Sequence, residues 1–147
     1  MARTVLVPLD DSEPSWEALN YAVETDSATS LRILHVIDPA QAGYGASMGV
    51  PTAAEEWFDN RQQAAKQMFE EAHSRVESAD VTVDSDIVIG NPARTIAEYP
   101  TQDDEDDRRV DAIVMGSHGR DGVARILLGS VAESVARRSP VPVTIVR

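Results

Sequence analysis

Five short apolar segments, separated by stretches long enough to hold a helix, constrain the fold of this chain more than any other feature. They are rich in Val, Ile and Leu, as strands buried on both faces are. The segments are Val5–Leu9, Leu31–Ile37, Val81–Ile89, Val110–Met115 and Val141–Val146. Strands that alternate with helices form a parallel sheet with right-handed crossovers on both faces. The pattern predicts an α/β fold, a single doubly wound domain over residues 1–147, and a central first strand predicts the strand order 3-2-1-4-5.

Helix signals lie between the predicted strands. Ser12 is a candidate N-cap with Pro14 in the following turn, and Asn91 with Pro92 marks the start of a short helix. The longest predicted helix runs from Ala53 to about Ser78, and the last from Ser130 to Arg138. Residues 40–52 are rich in glycine and residues 101–109 form a charged block, so both are predicted to be loops.

Composition excludes several classes of protein. No apolar run approaches the ~18 residues that a membrane-spanning helix needs, and the segment before Pro8 is too short for a signal peptide. The chain contains no cysteine, which excludes disulfides, thiolate catalysis and thiolate metal sites. We therefore expect a cytoplasmic protein that does not bind a membrane.

The charge balance is strongly acidic. Asp and Glu number 25 against 13 Lys and Arg, so the net charge is −12, and Lys66 is the only lysine. Such a surface repels nucleic acid and anionic membranes. It is also typical of proteins adapted to molar salt, where a Debye length of ~3 Å screens the self-repulsion. A halophilic cytoplasm is the favoured interpretation, and an acidic mesophilic protein is the alternative.

A glycine-punctuated loop follows the fourth predicted strand. From Gly116 to Ser130 the chain reads Gly-Ser-His-Gly, nine further residues and Gly-Ser, and a helix is predicted to start there. Glycine lets the backbone approach a ligand closely, and a helix N-terminus binds anions through its unpaired N–H groups. Ligands of doubly wound sheets lie where the strand order reverses, here between strands one and four. Both arguments predict a phosphate site lined by Asp10–Pro14 and Gly116–Gly129.

Two familiar phosphate motifs do not fit this chain. A Walker A loop needs Gly-Lys-Ser/Thr, whereas the sole lysine lies in the long predicted helix. A dinucleotide fingerprint needs three closely spaced glycines after the first strand, where this chain has Pro8, Asp10 and Asp11. The nucleotide site must therefore be of another type.

The motifs match a known family over nearly the whole chain. The matching segments are Val-Pro-Leu-Asp at Val7–Asp10, Leu-His-Val-Ile-Asp at Leu34–Asp38, Gly-Asn-Pro at Gly90–Pro92, and Gly116, Gly119 and Gly129-Ser130 in the spacing Gly-x2-Gly-x9-Gly-Ser/Thr. In these segments the chain resembles the universal stress protein family, and specifically its ATP-binding branch, because the other branch typically lacks the glycines. The resemblance implies a Rossmann-like fold similar to that of the adenine nucleotide alpha hydrolases.

The resemblance also implies a set of nucleotide-binding residues. They are Pro8, Leu9, Asp10, Val36, Met115, Gly116, Gly119, Gly129, Ser130 and Val131. Val36 would meet the adenine, Asp10 would accept from the ribose hydroxyls, and Met115 and Gly116 would contact the ribose and first phosphate. The later loop residues would offer backbone N–H groups to the phosphates. Ser130 would add its hydroxyl and is also the expected N-cap of the last helix.

Charged groups near the phosphate loop carry further expectations. His118 either donates to a phosphate or is simply exposed, and Arg120 and Arg125 are the cations nearest to the triphosphate. ATP carries about four negative charges, so an acidic protein needs local compensation, which Mg²⁺ would supplement. Asp10 or Asp11 would reach this ion through water.

Two candidate residues have competing structural interpretations. Asp10 either binds the ligand, which is favoured by its loop position, or merely caps the first helix. His35 lies in a predicted buried strand and is interpreted as a packed core histidine rather than a ligand.

Three functions fit these residues. The favoured one is a regulatory protein that binds ATP and acts as a nucleotide-dependent switch in the stress response. The second is a weak ATPase or autophosphorylating enzyme, with Asp121 as base and Arg120 as charge stabiliser, although no motif fixes their geometry. The third is a nucleotide-free dimeric scaffold, in which the glycines only build a tight loop.

A homodimer is expected under each of these functions. The last strand, 141–146, is short and contains Pro142, which fits the edge of a sheet. An exposed apolar edge favours pairing with a second copy across a two-fold axis, and the family resemblance implies the same antiparallel pairing. The alternative is an edge that Pro142 and Arg147 leave unpaired.

Overall fold

Five strands and four α-helices alternate in the part of the chain that the structure describes. The computed structural model describes residues 3–24, 30–42, 51–101, 109–117 and 128–147. The elements are β1 (Thr4–Pro8), α1 (Glu13–Glu24), β2 (Ser30–Ile37), α2 (Pro51–Val76), β3 (Thr82–Ile89), α3 (Pro92–Glu98), β4 (Ala112–Gly116), α4 (Ser130–Arg138) and β5 (Val143–Val146), with short 3₁₀ helices at Pro39–Ala42 and Tyr99–Thr101. Within these ranges, no helix is long and apolar enough to cross a membrane.

The sheet has the predicted topology. Its strand order is β3-β2-β1-β4-β5, and every neighbouring pair is parallel. The order therefore reverses between β1 and β4, which are hydrogen-bonded neighbours although far apart in sequence. The α/β interpretation and the order 3-2-1-4-5 are confirmed.

Two predicted strands begin two residues later than expected. The fourth starts at Ala112 rather than at Val110, although the N–H of Asp111 already donates to the Thr4 carbonyl at 2.9 Å. The fifth starts at Val143 rather than at Val141. Its first expected residue is held in a turn, because the N–H of Val141 donates to the Ser139 hydroxyl at 3.1 Å.

Each face of the sheet has its own apolar core. One face packs against α1 and α2, and the other against α3 and α4. Residues of β1 alternate between them, with Val5 and Val7 in the first core and Leu6 in the second, all fully buried. Burial on both faces explains the continuous apolar runs of the sequence.

The helix starts at Ser12 and Asn91 agree with the sequence prediction. Ser12 precedes α1 and its hydroxyl oxygen accepts from the Ser15 N–H at 3.3 Å. Asn91 caps α3, because its side-chain oxygen accepts from the Arg94 N–H at 3.0 Å, and Pro92 is the first helical residue. These caps satisfy backbone donors that a helix start leaves unpaired.

A polar cluster joins the outer part of the sheet to the chain that follows α3. Arg32 on β2 is buried, lies 3.9 Å from an Asp84 carboxylate oxygen and donates to the Tyr99 hydroxyl at 3.5 Å. The Tyr99 hydroxyl in turn donates to Asp86 at 2.9 Å. Burial and the Asp86 carboxylate raise the pKa of Tyr99 above its ordinary value of 10.0.

We expect Tyr99→Phe to lower the free energy of unfolding by about 1 kcal/mol at neutral pH, because Asp86 loses a hydrogen-bond donor. The raised pKa means that the folded protein holds the phenol proton more tightly than the unfolded chain does. This stability is present below pH 10 and is lost as the pH rises above it. Urea unfolding between about pH 8 and 11, on either side of the ordinary tyrosine pKa, measures this effect. The free energy of unfolding should fall less steeply with rising pH in the variant than in the wild type.

The matched control is Tyr21→Phe, which removes a phenol from α1 and leaves the Arg32 cluster intact. The wild-type alkaline decline should persist in this variant. An equally steep decline in Tyr99→Phe and in the wild type would contradict the role given to Tyr99.

Candidate nucleotide crevice

A crevice opens at the carboxyl ends of the strands, beside the point where the strand order reverses between β1 and β4. Its volume is about 800 Å³, which lies within the range of small-molecule sites. All four α-helices contribute to its wall, so it is bounded from both faces of the sheet. Its position is the one at which doubly wound sheets bind their ligands.

The β1–α1 turn forms one wall of the crevice through Asp10. One carboxylate oxygen of Asp10, Oδ1, accepts from the Ser12 N–H at 3.0 Å and also from the Ser12 hydroxyl. In the part of the chain that the structure describes, the other oxygen accepts no hydrogen bond. Asp10 therefore helps to start the helix and still has an acceptor for a ligand, so its two interpretations do not exclude each other.

Asp11 plays a different part in the same turn. Its φ is 67°, and it is the one non-glycine residue with a positive φ among those described. Aspartate tolerates this left-handed conformation better than most residues. Its carboxylate accepts from the Trp16 indole N–H at 3.1 Å, and Asp11 does not line the crevice. Asp11 thus fixes the turn against α1.

The start of α4 forms the opposite end of the crevice. Its N-cap is Gly129 and not Ser130, which is the first helical residue, and among the described residues no side chain caps the helix. The prediction that Ser130 is the N-cap is therefore wrong. The Gly129 carbonyl accepts from the Glu133 N–H at 3.0 Å, which closes the first helical turn.

The first N–H groups of α4 are available to a ligand. In the described chain no acceptor is found for the N–H groups of Ser130, Val131 and Ala132, and all three residues line the crevice. These donors stand at the positive end of the helix dipole. The start of α4 is thus suited to an anionic group.

Gly116 brings the end of β4 against the start of α1. A Cβ atom on Gly116 would lie 2.7 Å from the Pro14 Cβ and 2.8 Å from its carbonyl carbon. Only glycine allows this approach without a shift of the α1 backbone. Close packing between β4 and α1, in addition to any ligand, accounts for the glycine.

The β2 end of the crevice is held by a buried histidine. His35 is 5% exposed, and its ring Nδ1 lies 2.7 Å from the Leu9 carbonyl oxygen. Because a carbonyl can only accept, Nδ1 carries the proton and donates. The Leu9 N–H donates in turn to the Leu34 carbonyl at 2.8 Å. His35 is thus buried and hydrogen-bonded, as predicted for a core histidine, and it also lines the crevice.

The crevice brings together the sequence-predicted residues that the structure describes. Nine of them line it: Pro8, Leu9, Asp10, Val36, Met115, Gly116, Gly129, Ser130 and Val131. The other predicted residues, His118, Gly119 and Arg120, lie outside the described ranges, as do Asp121 and Arg125. The described ranges contain no group of three or more His, Asp or Glu side chains arranged to hold a metal ion.

Sequence reasoning missed several residues of the crevice wall. Asp38 and Gln41 follow β2, Pro92 and Ile96 belong to α3, and Arg61 extends from α2. A signal for Arg61 was present, because it lies one helical turn before the buried Ala65, on the inward stripe of α2. Periodicity shows that Arg61 faces inward, but it does not show that this part of α2 lies beside the crevice. That placement depends on how α2 packs on the sheet.

The relatives of this chain include several universal stress proteins. The universal stress protein MJ0577 of Methanocaldococcus jannaschii is 32% identical over 100% of this chain and 96% of its own length. The universal stress protein YxiE of Bacillus subtilis is 29% identical over the whole of both chains. The similarity therefore extends from end to end.

Solved structures show the same similarity. The structure of MJ0577 has a TM-score of 0.83 and covers 99% of this chain and 96% of its own, and UspA from Lactobacillus plantarum has a TM-score of 0.81 at 26% identity over 99% and 97%. A universal stress protein in complex with cAMP has a TM-score of 0.63 at 27% identity over 99% and 96%. The profile of the universal stress protein family matches residues 1–147. The chain therefore belongs to the universal stress protein family.

Proposed function

We propose that this protein binds ATP in the crevice and acts as a nucleotide-dependent switch in the stress response. The observation that carries the proposal is the uncapped start of α4, which lines the same crevice as Asp10 and the end of β2. An anion site, a carboxylate acceptor and an apolar end thus share one cavity of about 800 Å³. These are the features that a phosphate, a ribose and a base require. A related universal stress protein in complex with cAMP supports an adenine nucleotide as the ligand.

Each part of the nucleotide has a proposed partner. Val36 meets the adenine, the free oxygen of Asp10 accepts from the ribose, and Met115 and Gly116 border the ribose and first phosphate. The phosphates bind the N–H groups at the start of α4 and the loop that contains Gly119. Mg²⁺ would be held mainly by the phosphates themselves, because in nucleotide sites this ion takes only one or two protein carboxylates and keeps several waters.

The switch is proposed to work as a cytoplasmic homodimer. β5 ends the sheet order, its residues Val143–Val146 are half-buried, and among the described strands it pairs with β4 alone. An edge of this kind offers free N–H and C=O groups to a second copy. Occupancy of the crevice would then change the surface that the dimer presents to a regulatory partner. The molar mass in solution, measured with and without ATP, tests the dimer.

Calorimetric titration with Mg-ATP tests the site, and Ser130→Pro is its sharpest variant. Proline is tolerated at the first helical position, and Gly129 already has the extended φ of −65° and ψ of 160° that a residue before proline needs. The substitution removes one N–H and the hydroxyl without breaking α4. We expect the affinity for ATP to fall about tenfold or more, since hydrogen bonds to charged groups are strong.

The matched control is Ser130→Ala, which removes the hydroxyl and keeps the N–H. It should lose less affinity than Ser130→Pro, while both variants unfold at the wild-type temperature. Wild-type protein that binds no adenine nucleotide, in either dilute or molar KCl, would refute the proposed function. The dimeric scaffold would then be the better description.

A further inference from the structure

One cation of the crevice wall lies outside every motif that the sequence analysis used. Arg61 is on α2, which packs on the α1 face of the sheet, whereas α4 packs on the other face. Both helices border the crevice, so Arg61 extends towards the ligand space from the side opposite the α4 N-terminus. No family motif quoted for this chain includes it.

The Arg61 side chain is half-buried and incompletely paired. Its Nε is shielded from solvent and has no hydrogen-bond partner in the described structure. Its guanidinium lies 5.9 Å from the centre of the Trp57 ring, one helical turn away, which is a long cation–π distance. A buried polar group without a partner is costly, so sites of this kind usually acquire one.

The nearby carboxylates do not pair with Arg61. Asp10 and Asp38 line the same crevice, yet no ion pair joins either of them to Arg61 in the described chain. Among the described lining residues Arg61 is the only Arg or Lys, in a protein with a net charge of −12. A polyanionic ligand would meet unfavourable charge here, and Arg61 is the fixed cation that offsets it.

The geometry points to Arg61 as a ligand-contacting residue that recognises a phosphate of the bound nucleotide. This inference rests on the proposed function, since it assigns a contact within the same crevice. Guanidinium groups bind phosphate through parallel N–H donors, and the charged oxygens gain more from such a pair than a neutral base does. Arg61 thus makes the affinity of the crevice depend on the phosphate charge of its ligand.

A series of ligands with increasing numbers of phosphates distinguishes a contact with the phosphates from a contact with the base. Adenosine, AMP, ADP and ATP are titrated into the wild type, Arg61→Gln and Arg61→Lys at about 0.15 M KCl, where charge interactions are only partly screened. For Arg61→Gln we expect a loss of about tenfold or more for a ligand with phosphates, and less than about twofold for adenosine. Arg61→Lys, which keeps the charge but not the planar fork, should lie between.

Arg94→Gln is the matched control for net charge. Arg94 is an exposed residue of α3 that pairs with Glu98 at 3.2 Å and does not line the crevice. It changes the net charge by the same amount, so its affinities should remain those of the wild type. If Arg94→Gln and Arg61→Gln lost the same affinity for ATP, the net charge of the protein would explain the effect. That result would overturn the proposed contact between Arg61 and a phosphate.

Three other outcomes would refute either the phosphate contact of Arg61 or the proposed function. Equal losses for adenosine and ATP in Arg61→Gln would place Arg61 against the base or in the packing of the wall, and would refute a phosphate contact. Unchanged affinities would show that Arg61 does not touch the ligand. A wild type that binds none of the four ligands would refute the proposed function itself, which distinguishes that failure from a failure of Arg61 alone.

Discussion

Gly116→Ala should lower the free energy of unfolding by about 2–3 kcal/mol, because a new Cβ overpacks a site with no room for it. The Cβ would lie 2.7–3.0 Å from the Cβ, carbonyl carbon and carbonyl oxygen of Pro14. Two of these three atoms belong to the backbone, so the clash can be relieved only if the start of α1 moves. Urea unfolding measures the loss, and Gly116→Val should lose more.

The same displacement should weaken nucleotide binding. Ser12 immediately precedes α1, and its N–H and hydroxyl donate to the Asp10 carboxylate. A shift of this turn would move Asp10 away from its place in the crevice, so affinity for ATP should fall together with stability. Calorimetric titration of the folded variant below its unfolding temperature separates the two effects.

Gly90→Ala is the matched control. A Cβ at Gly90 would lie 2.8 Å from Thr95 Oγ1, which is a side-chain atom, and no backbone atom is among its close contacts. We therefore expect a smaller loss than for Gly116→Ala, about 1–2 kcal/mol. Equal losses in Gly90→Ala and Gly116→Ala would contradict the importance given to the contact between β4 and α1.

Ile113→Ala should destabilise the fold by about 3–4 kcal/mol, since it leaves a cavity in the core. Ile113 is fully buried on β4, between β1 and β5, and packs in the core beneath α3 and α4. It does not line the crevice, so nucleotide affinity should persist in whatever fraction remains folded. Thermal and urea unfolding measure the loss.

Ile89→Ala makes the same substitution at a strand end. Ile89 is the last residue of β3 and is 53% exposed, so little apolar area leaves the core with its side chain. The expected loss is below about 1 kcal/mol. If Ile89→Ala and Ile113→Ala lowered the free energy of unfolding equally, the burial assigned to Ile113 on β4 would be wrong.

The sheet was predictable from sequence because strands that are buried on both faces consist mainly of apolar residues. Leu31, Ile33 and Leu34 of β2 are all fully buried, and even the two polar residues that interrupt this run, Arg32 and His35, are buried. Such runs identify buried strands and, when helices separate them, a parallel sheet. Their first residues were harder to place. Val141 has a high propensity for strands, yet its N–H donates to the Ser139 hydroxyl in a turn that precedes β5.

The crevice was predictable only on the side that local motifs describe. Gly116 and Gly129 stand at recognisable positions after β4, but a sequence pattern does not distinguish an N-cap from the residue after it. This is why Ser130 was misplaced by one position. Arg61 reaches the crevice through the crossing of α2 over the sheet, a tertiary arrangement that no local pattern specifies.

A hydrogen-bonded junction joins the end of β4 to the start of α4. Ser117 donates its N–H to the Val146 carbonyl at 2.8 Å, and its own carbonyl accepts from the Gly129 N–H at 2.7 Å. Gly129 is the N-cap of α4, so this junction connects the first turn of the helix to β4 and β5 through main-chain groups alone. The place of the α4 N-terminus is consequently set by the sheet, and substitution of the Ser117 side chain should leave it unchanged.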